Sequence, residues 1–402
     1  MEIRPILSTL QRHKTAAALI VLEVALSCAI ISNALFLIGD RLQRTQRPSG
    51  LAENELVTLT ISGIGRDEDA RALTDTDLAA LRRIPGVKYA SSVSQIPYGD
   101  SMWVSGLKLT ADQKNSTIDV NDYTGDSQTL DTMGLTLIQG RRFTEGEFTW
   151  SDDKTAIIPS AILTKSAADK LFPGQSALGK SIYRDATPMK IVGIVEHLAR
   201  VNNYGGAAVY DDSMLTPVKT TYKDGGRYLL RTDPARRDEV LRQAVAALEK
   251  NSASRIIEQP RVFEQMRRNF YRQDRSMAWL LVTMSIALLI VTALGIVGLA
   301  SFWVQQRTKQ IGIRRALGAT RGQILRYFQV ENFLLASIGI VLGMLMAYSI
   351  NLWLMARYEL PRLPLVYLPI GAVTLWALGQ IAVFWPARRA AAVPPAVATR
   401  SA

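Results

Sequence analysis

The chain has 402 residues, 48% of them hydrophobic, and a formal net charge of +12, a length that allows two or three domains and a charge that would suit nucleic acid if it were spread over one face. It is not: segments 1–14, 305–331 and 386–402 hold twelve basic and two acidic residues, whereas 40–276 holds 33 basic and 31 acidic, which leaves no basic face for a nucleic acid. Cys28 is the only cysteine and His13 and His197 the only histidines, which excludes an intrachain disulfide, a cysteine metal site, a His-rich metal centre and a His-based triad.

Residues 1–14 place Ile3, Ile6, Leu7 and Leu10 at helical spacing, with Arg4, Arg12 and Lys14 elsewhere on the wheel. This predicts an amphipathic helix lying in the membrane interface. Residues 15–39 form the first transmembrane helix, longer than the about 20 residues a bilayer core needs and longer than the apolar core of a cleaved signal peptide, so it reads as an uncleaved anchor. Glu23 lies about two turns in. It either snorkels to the inner interface, the preferred reading, or makes a polar contact between spans.

Residues 40–276 hold no membrane-length apolar run and mix strand-like with helical stretches, which predicts a two-lobed α+β extracytoplasmic domain. Leu56 to Ile61 alternates as a strand. The next helix is read as capped by Thr74 with Asp77 three residues on, and ended by Pro85-Gly86. SSVSQIP reads as a strand, Gly134 to Phe143 as a strand and turn, Ile162 to Phe172 as an amphipathic helix, Met189 to Leu198 as a buried strand and Asp233 to Asn251 as a capped helix. Gly174 to Ser181 matches the phosphate-loop pattern G-x4-G-K-S letter for letter. A phosphate loop needs a strand before it and a helix after it; here a helix precedes and two strands follow, so the match is a turn.

Residues 277–304 are the second transmembrane helix, expected to run on from the charged stretch RVFEQMRRNFYRQDRS as one long stalk, with Gly295 and Gly298 allowing close packing. Residues 305–331 then carry Arg307, Lys309, Arg314, Arg315, Arg321 and Arg326 against a single acid, Glu331, which places this loop on the cytoplasmic side. It is also patterned as structure. Gln310 to Leu317 reads as a short helix with Gly318 as its left-handed stop, and Thr320 with Gln323 forms a capping box for the next helix. Residues 332–356 and 364–385 are the third and fourth transmembrane helices. Gly339 and Gly343 make a G-x3-G pair for helix packing, either between two copies of the chain or within one. The tail, 386–402, contains Arg388, Arg389 and Arg400.

IGIRRALGATRGQIL closely resembles the cytoplasmic loop of MacB/FtsX-type ABC transporter permeases, the long stretch from AIIPS to IVEHL is similar to the MacB-like periplasmic core domain, and the Pro-Ala-Arg-Arg-Ala-Ala tail resembles the family's closing motif. The resemblance departs at Gln310, where the family usually has an acid, and at Pro394 and Val397, where it has acids in the tail. It implies an α-helical membrane protein with four transmembrane helices and a large α+β extracytoplasmic domain of two lobes. It also implies a bacterial inner-membrane location with that domain in the periplasm. On this reading the chain is a non-catalytic permease subunit that binds no cofactor. ATP and magnesium belong to a separate ABC ATPase, and a second permease copy completes the assembly, with a periplasmic adaptor and outer-membrane channel as further partners. The coupling helix comprises Gln310, Ile311, Gly312, Ile313, Arg314, Arg315, Ala316 and Leu317 with Gly318, and Arg388 and Arg389 form a tail contact. The implied work is transmission of motion from ATPase to outer domain for efflux of peptides, antibiotics or other periplasmic substrates. The alternatives are activation of a periplasmic hydrolase and release of lipoproteins.

Overall fold

The computed structural model describes residues 14–63, 69–184, 186–202, 206–224, 226–252, 255–358 and 362–392. The expected interfacial helix before Lys14 and the tail from residue 393, including Pro394, Val397 and Arg400, lie outside the described residues. The chain divides into two compact units, Met1–Thr45 with Asp274–Ala402, and Gln46–Gln273. Elements are numbered in chain order, beginning with helix α1 (Lys14–Gln46).

The second unit has two lobes. Strands β1 (Leu56–Gly63), β2 (Val87–Val93), β12 (Arg227–Thr232) and β13 (Arg255–Val262) form an antiparallel sheet in the order β13-β1-β12-β2. Alternation along β1 sends Val57, Leu59 and Ile61 to one face, where α2 (Ala70–Arg82) and α5 (Arg237–Asn251) cover them with Leu78, Leu81, Val240, Ala244 and Leu248. Leu56 turns to the other face and joins Val93, Leu229 and Phe263 in a second core.

The other lobe is built from β3 (Val104–Leu107), β4 (Ile118–Thr124), β5 (Leu137–Gly140), β7 (Ser160–Thr164), β8 (Ser181–Arg184), β9 (Thr187–Val195) and β10 (Ser213–Thr216). They run β3-β4-β10-β7-β9, with β8 and β5 both paired to β9. Two hydrogen bonds between Lys108 and Tyr183, of 3.0 and 2.9 Å, join the end of β3 to β8 and close six strands into a ring. Leu107, Val120, Leu163, Ile182, Ile191 and Met214 share its core with α4 (Lys165–Leu171), while the alternate residues Ile162, Val192 and Leu215 belong to the core shared with Leu56. Helix α3 (Thr129–Met133) and the short strands β6 (Thr149–Trp150) and β11 (Val218–Lys219) complete this unit before α6 (Phe263–Phe270).

Three expectations need correction. Thr74 does not cap α2: the helix begins one turn earlier, where the Asp69 carboxylate accepts from the amides of Arg71 and Ala72 at 3.0 and 3.1 Å. The run Ile162 to Phe172 is only half helix, because Ile162, Leu163 and Thr164 are taken by β7 in the ring, and Thr164 caps α4 instead. The stalk is not one helix. The chain breaks at Tyr271, whose ring is buried 5.6 Å from Tyr98 and 5.0 Å from Phe270, and a new helix starts at Arg272. The G-x4-G-K-S segment follows α4 and precedes β8, with Gly174 and Gly179 at φ +70° and +80°; it is a turn between a helix and a hairpin.

The first unit holds α1, α7 (Arg272–Gln306), α8 (Thr308–Ala316), α9 (Arg321–Tyr358) and α10 (Tyr367–Ala392). All but α8 are long and apolar enough to cross a membrane. Polar pairs cross between helices inside the bundle, where no water competes for them. Ser27 meets Thr292 at 2.7 Å, the Asn33 amide donates to the Ala347 carbonyl at 3.3 Å, and Trp376 Nε1 donates to Ser337 Oγ at 3.1 Å. At one end Arg41 pairs with Asp274 at 2.8 Å. Glu23 is half-buried and lies against α7, so close that a Cβ added at Gly295 would collide with its carboxylate.

Gly339 and Gly343 face α1. A Cβ at Gly339 would lie 2.8 Å from the Val21 carbonyl oxygen, and one at Gly343 would lie 2.6 Å from that of Ala25 and 2.5 Å from Cys28 Cβ. The close approach is therefore made within the chain. Gly343→Leu is expected to force α9 off α1 and cost about 1–3 kcal/mol or more, as overpacked cores do. Gly298 has open space for 4 Å around the place a Cβ would take, and should accept Ala without loss. Thermal unfolding of both variants in detergent checks this; equal melting points would mean the α1–α9 contact is not tight.

Candidate functional site

The elbow between α7 and α9 is ordered by its own sequence. Helix α8 ends because Gly318 takes φ +98°, a conformation that glycine enters without strain. The amides of Gly318 and Ala319 then close onto the carbonyls of Arg315 and Arg314 at 3.2 and 3.0 Å. Thr320 and Gln323 cap α9 reciprocally: the Thr320 amide donates to Gln323 Oε1 at 2.9 Å, and the Gln323 amide to Thr320 Oγ1 at 3.3 Å.

Long-range contacts fix this elbow to the bundle. Arg307, 6% exposed, directs Nη1 at both carboxylate oxygens of Glu331, at 3.0 and 2.9 Å, and its guanidinium stacks 5.5 Å from the Trp303 ring. Arg315 Nη1 donates to the Ala391 carbonyl at 2.9 Å, tying α8 to the end of α10. That end can come close because Ala387, Ala390 and Ala391 are small; they share a buried core with Ile311.

The remaining predicted positions separate by face. Ile311 and Gly312 point inward. Ile313 and Leu317, one turn apart, are 47% and 83% exposed, so the helix presents an apolar pair to its surroundings. Gln310 and Arg314 line a cleft between α8 and α9, with Arg314 stacked 5.0 Å from the Tyr327 ring. Ala316 is exposed at the last turn. Arg388 and Arg389 are exposed on α10, and Arg389 covers the Trp385 ring at 3.8 Å; α8 is linked to this end of α10 through the backbone oxygen of Ala391. Sequence reasoning missed that oxygen, the Tyr327 stack and the role of Glu331. Only the last left a trace, as the lone acid in a stretch of six cations.

Comparison with known proteins places both parts of the chain. The FtsX-like permease C-terminal family model matches residues 282–395, and the MacB-like periplasmic core domain model matches residues 17–250. The chain is 24% identical to the macrolide export ATP-binding/permease protein MacB of Shewanella sp. (strain ANA-3) over 97% of its own length, and spans 58% of that protein's length. It is 25% identical to the uncharacterized ABC transporter permease YvrN of Bacillus subtilis (strain 168), with 96% of each chain covered. The crystal structure of the periplasmic region of MacB from Actinobacillus actinomycetemcomitans aligns at a TM-score of 0.33 and 16% identity, covering 56% of this chain and 97% of that one. With four helices able to span a membrane, a large α+β unit between the first two, and family matches over both, the chain belongs to the MacB/FtsX-type ABC transporter permeases.

Proposed function

We propose that this chain is the permease subunit of an inner-membrane ABC transporter and that α8 is the helix on which a separate ATPase subunit docks. One observation carries the reading: α8 is held rigidly by the Arg307–Glu331 pair and the Arg315–Ala391 bond, yet leaves Leu317 83% exposed beside Ile313. A loop that served only as a topology signal would need neither order nor an exposed apolar pair. ATP and magnesium would then sit on the partner, in an assembly with two ATPase and two permease copies. Closure of the ATPase pair would move α8, and the motion would pass through α7 to the outer domain. Efflux of periplasmic substrates, with an adaptor and an outer-membrane channel, is the preferred use of that motion. The size of the outer unit, 46–273, supports it over activation of a cell-wall hydrolase, where relatives have a smaller outer domain.

The test begins with a pull-down of the tagged chain from native membranes, followed by ATPase assays with the captured subunit. Burying an exposed leucine is worth about 1.5–3 kcal/mol, so Leu317→Asp should weaken the partner's affinity about tenfold or more. Gly318→Pro, which cannot take a positive φ, and Arg315→Glu should uncouple the assembly. Full stimulation in all three variants would remove α8 from the docking surface. A hydrolase in place of an adaptor among the captured proteins would shift the reading to signalling.

A further inference from the structure

The cleft between α8 and the start of α9 is a different face of the elbow from the Ile313–Leu317 pair. It has a volume of about 180 Å³ and is lined by Arg307, Arg314, Gln310, Gln323 and Tyr327 together with the apolar Ile311, Ile324 and Phe328. No carboxylate lines it. Arg307 stands 94% buried, and because its Nη1 serves both oxygens of Glu331, its Nη2 is left buried with no acceptor. A buried donor without an acceptor is costly, and a charged one more so. Arg314, on the same side, stacks on Tyr327 and pairs with no acid among the described residues. The cavity is far larger than the ~10–15 Å³ that one water needs.

The position of the cleft along the helices narrows the chemistry. Trp303, one turn before Arg307, closes the apolar run of α7, and the apolar run of α9 begins just after Glu331. Tryptophan and tyrosine at such ends mark the level of lipid headgroups, and basic pockets between helices at that level take anionic headgroups. A phosphodiester offers several acceptor oxygens to two guanidinium groups, and its acyl chains continue along apolar surface such as Ile338, which is exposed on α9 and lies on the same helical face as Tyr327. We propose that this cleft binds the phosphate of an anionic phospholipid from the inner leaflet, so that the lipid forms part of the elbow on which α8 is held. The proposal does not depend on what covers Ile313 and Leu317.

The full chain, reconstituted in mixed vesicles of phosphatidylcholine and phosphatidylglycerol and released into mild detergent, is examined by native mass spectrometry for retained lipid. Phosphatidylglycerol should be retained over phosphatidylcholine. Arg314→Gln should lower that retention about fivefold, the amount expected from one basic contact. Arg321→Gln removes the same charge from the same elbow but does not line the cleft, and should change nothing. Equal loss in both variants, or no preference for the anionic lipid, would overturn the proposal. Inorganic phosphate distinguishes the source: an adduct of free phosphate that displaces the lipid would assign the cleft to a soluble anion and overturn the lipid reading. Release of the lipid on adding the ATPase subunit would assign the cleft to that protein and overturn it equally, whereas persistence of the lipid in the complex supports it.

Discussion

Glu331→Ala in the full chain should collapse the elbow. Arg307 and Glu331 are 7% and 2% exposed at the side chain, so removing the acid leaves an uncompensated guanidinium against Trp303, a loss of about 3–5 kcal/mol for a buried pair. The pair joins the turn that starts α8 to the first turns of α9, so the loss falls on the orientation of α8 itself. The melting point in detergent should fall, and on the proposed docking of an ATPase at α8 its stimulation should disappear. Replacing both partners with apolar residues of similar size, Arg307→Met with Glu331→Leu, should restore the melting point, because two buried charges are exchanged for packing. If coupling returns with it, the pair acts by holding geometry. A single Glu331→Ala chain that melts and couples as the native one does would show that the pair contributes nothing.

The second large effect belongs to the outer unit. Asp77 is fully buried and takes four donors: both Nη atoms of Arg255, the Tyr228 hydroxyl at 2.7 Å and Asn251 Nδ2 at 3.0 Å. One carboxylate therefore ties α2, β12, the end of α5 and the start of β13 together, and Tyr222 covers the guanidinium at 5.1 Å. Asp77→Ala leaves Arg255 unpaired in the middle of the lobe and should cost about 3–5 kcal/mol. For a unit of this size that lowers the melting point by about 10 °C. Asp77→Asn keeps the shape but loses the charge, and should fall between the two. Differential scanning calorimetry of the full chain checks both variants; a shift below a degree or two would mean that water reaches Arg255 in the variant.

These sites also show where the sequence is legible. The capping box of Thr320 and Gln323 and the stop at Gly318 are short-range devices, written within a few residues and readable there. The four long apolar runs are equally plain, since a membrane demands length and hydrophobicity and little else. Asp77 failed for the opposite reason. Thr74 and Asp77 have the spacing of a cap, and nothing nearby says that the partner is Arg255, far along the chain. Ile162 to Phe172 has helical periodicity throughout, yet the ring needed its first three residues as a strand, and tertiary pairing overrode local preference. Tyr271 lies in a stretch that reads as unbroken helix, and only the aromatic cluster around Tyr98 explains why the helix stops there. The cleft at Arg307 was illegible because it needs two helices and a turn to exist.

The ring closed by Lys108 and Tyr183 bears on aggregation. A sheet edge with unpaired amides and carbonyls is a template on which another chain can grow. Between β3 and β8 that template is used up by the protein's own hydrogen bonds. The open sheet of the other lobe guards its β13 edge differently: Pro260 lacks an amide, Gln259 sits at φ +51° beside a register shift, and Glu258 and Arg261 place charge along the strand. The outer unit thus carries sheets in both lobes without offering a long clean edge at either place, which limits edge-to-edge pairing with other chains.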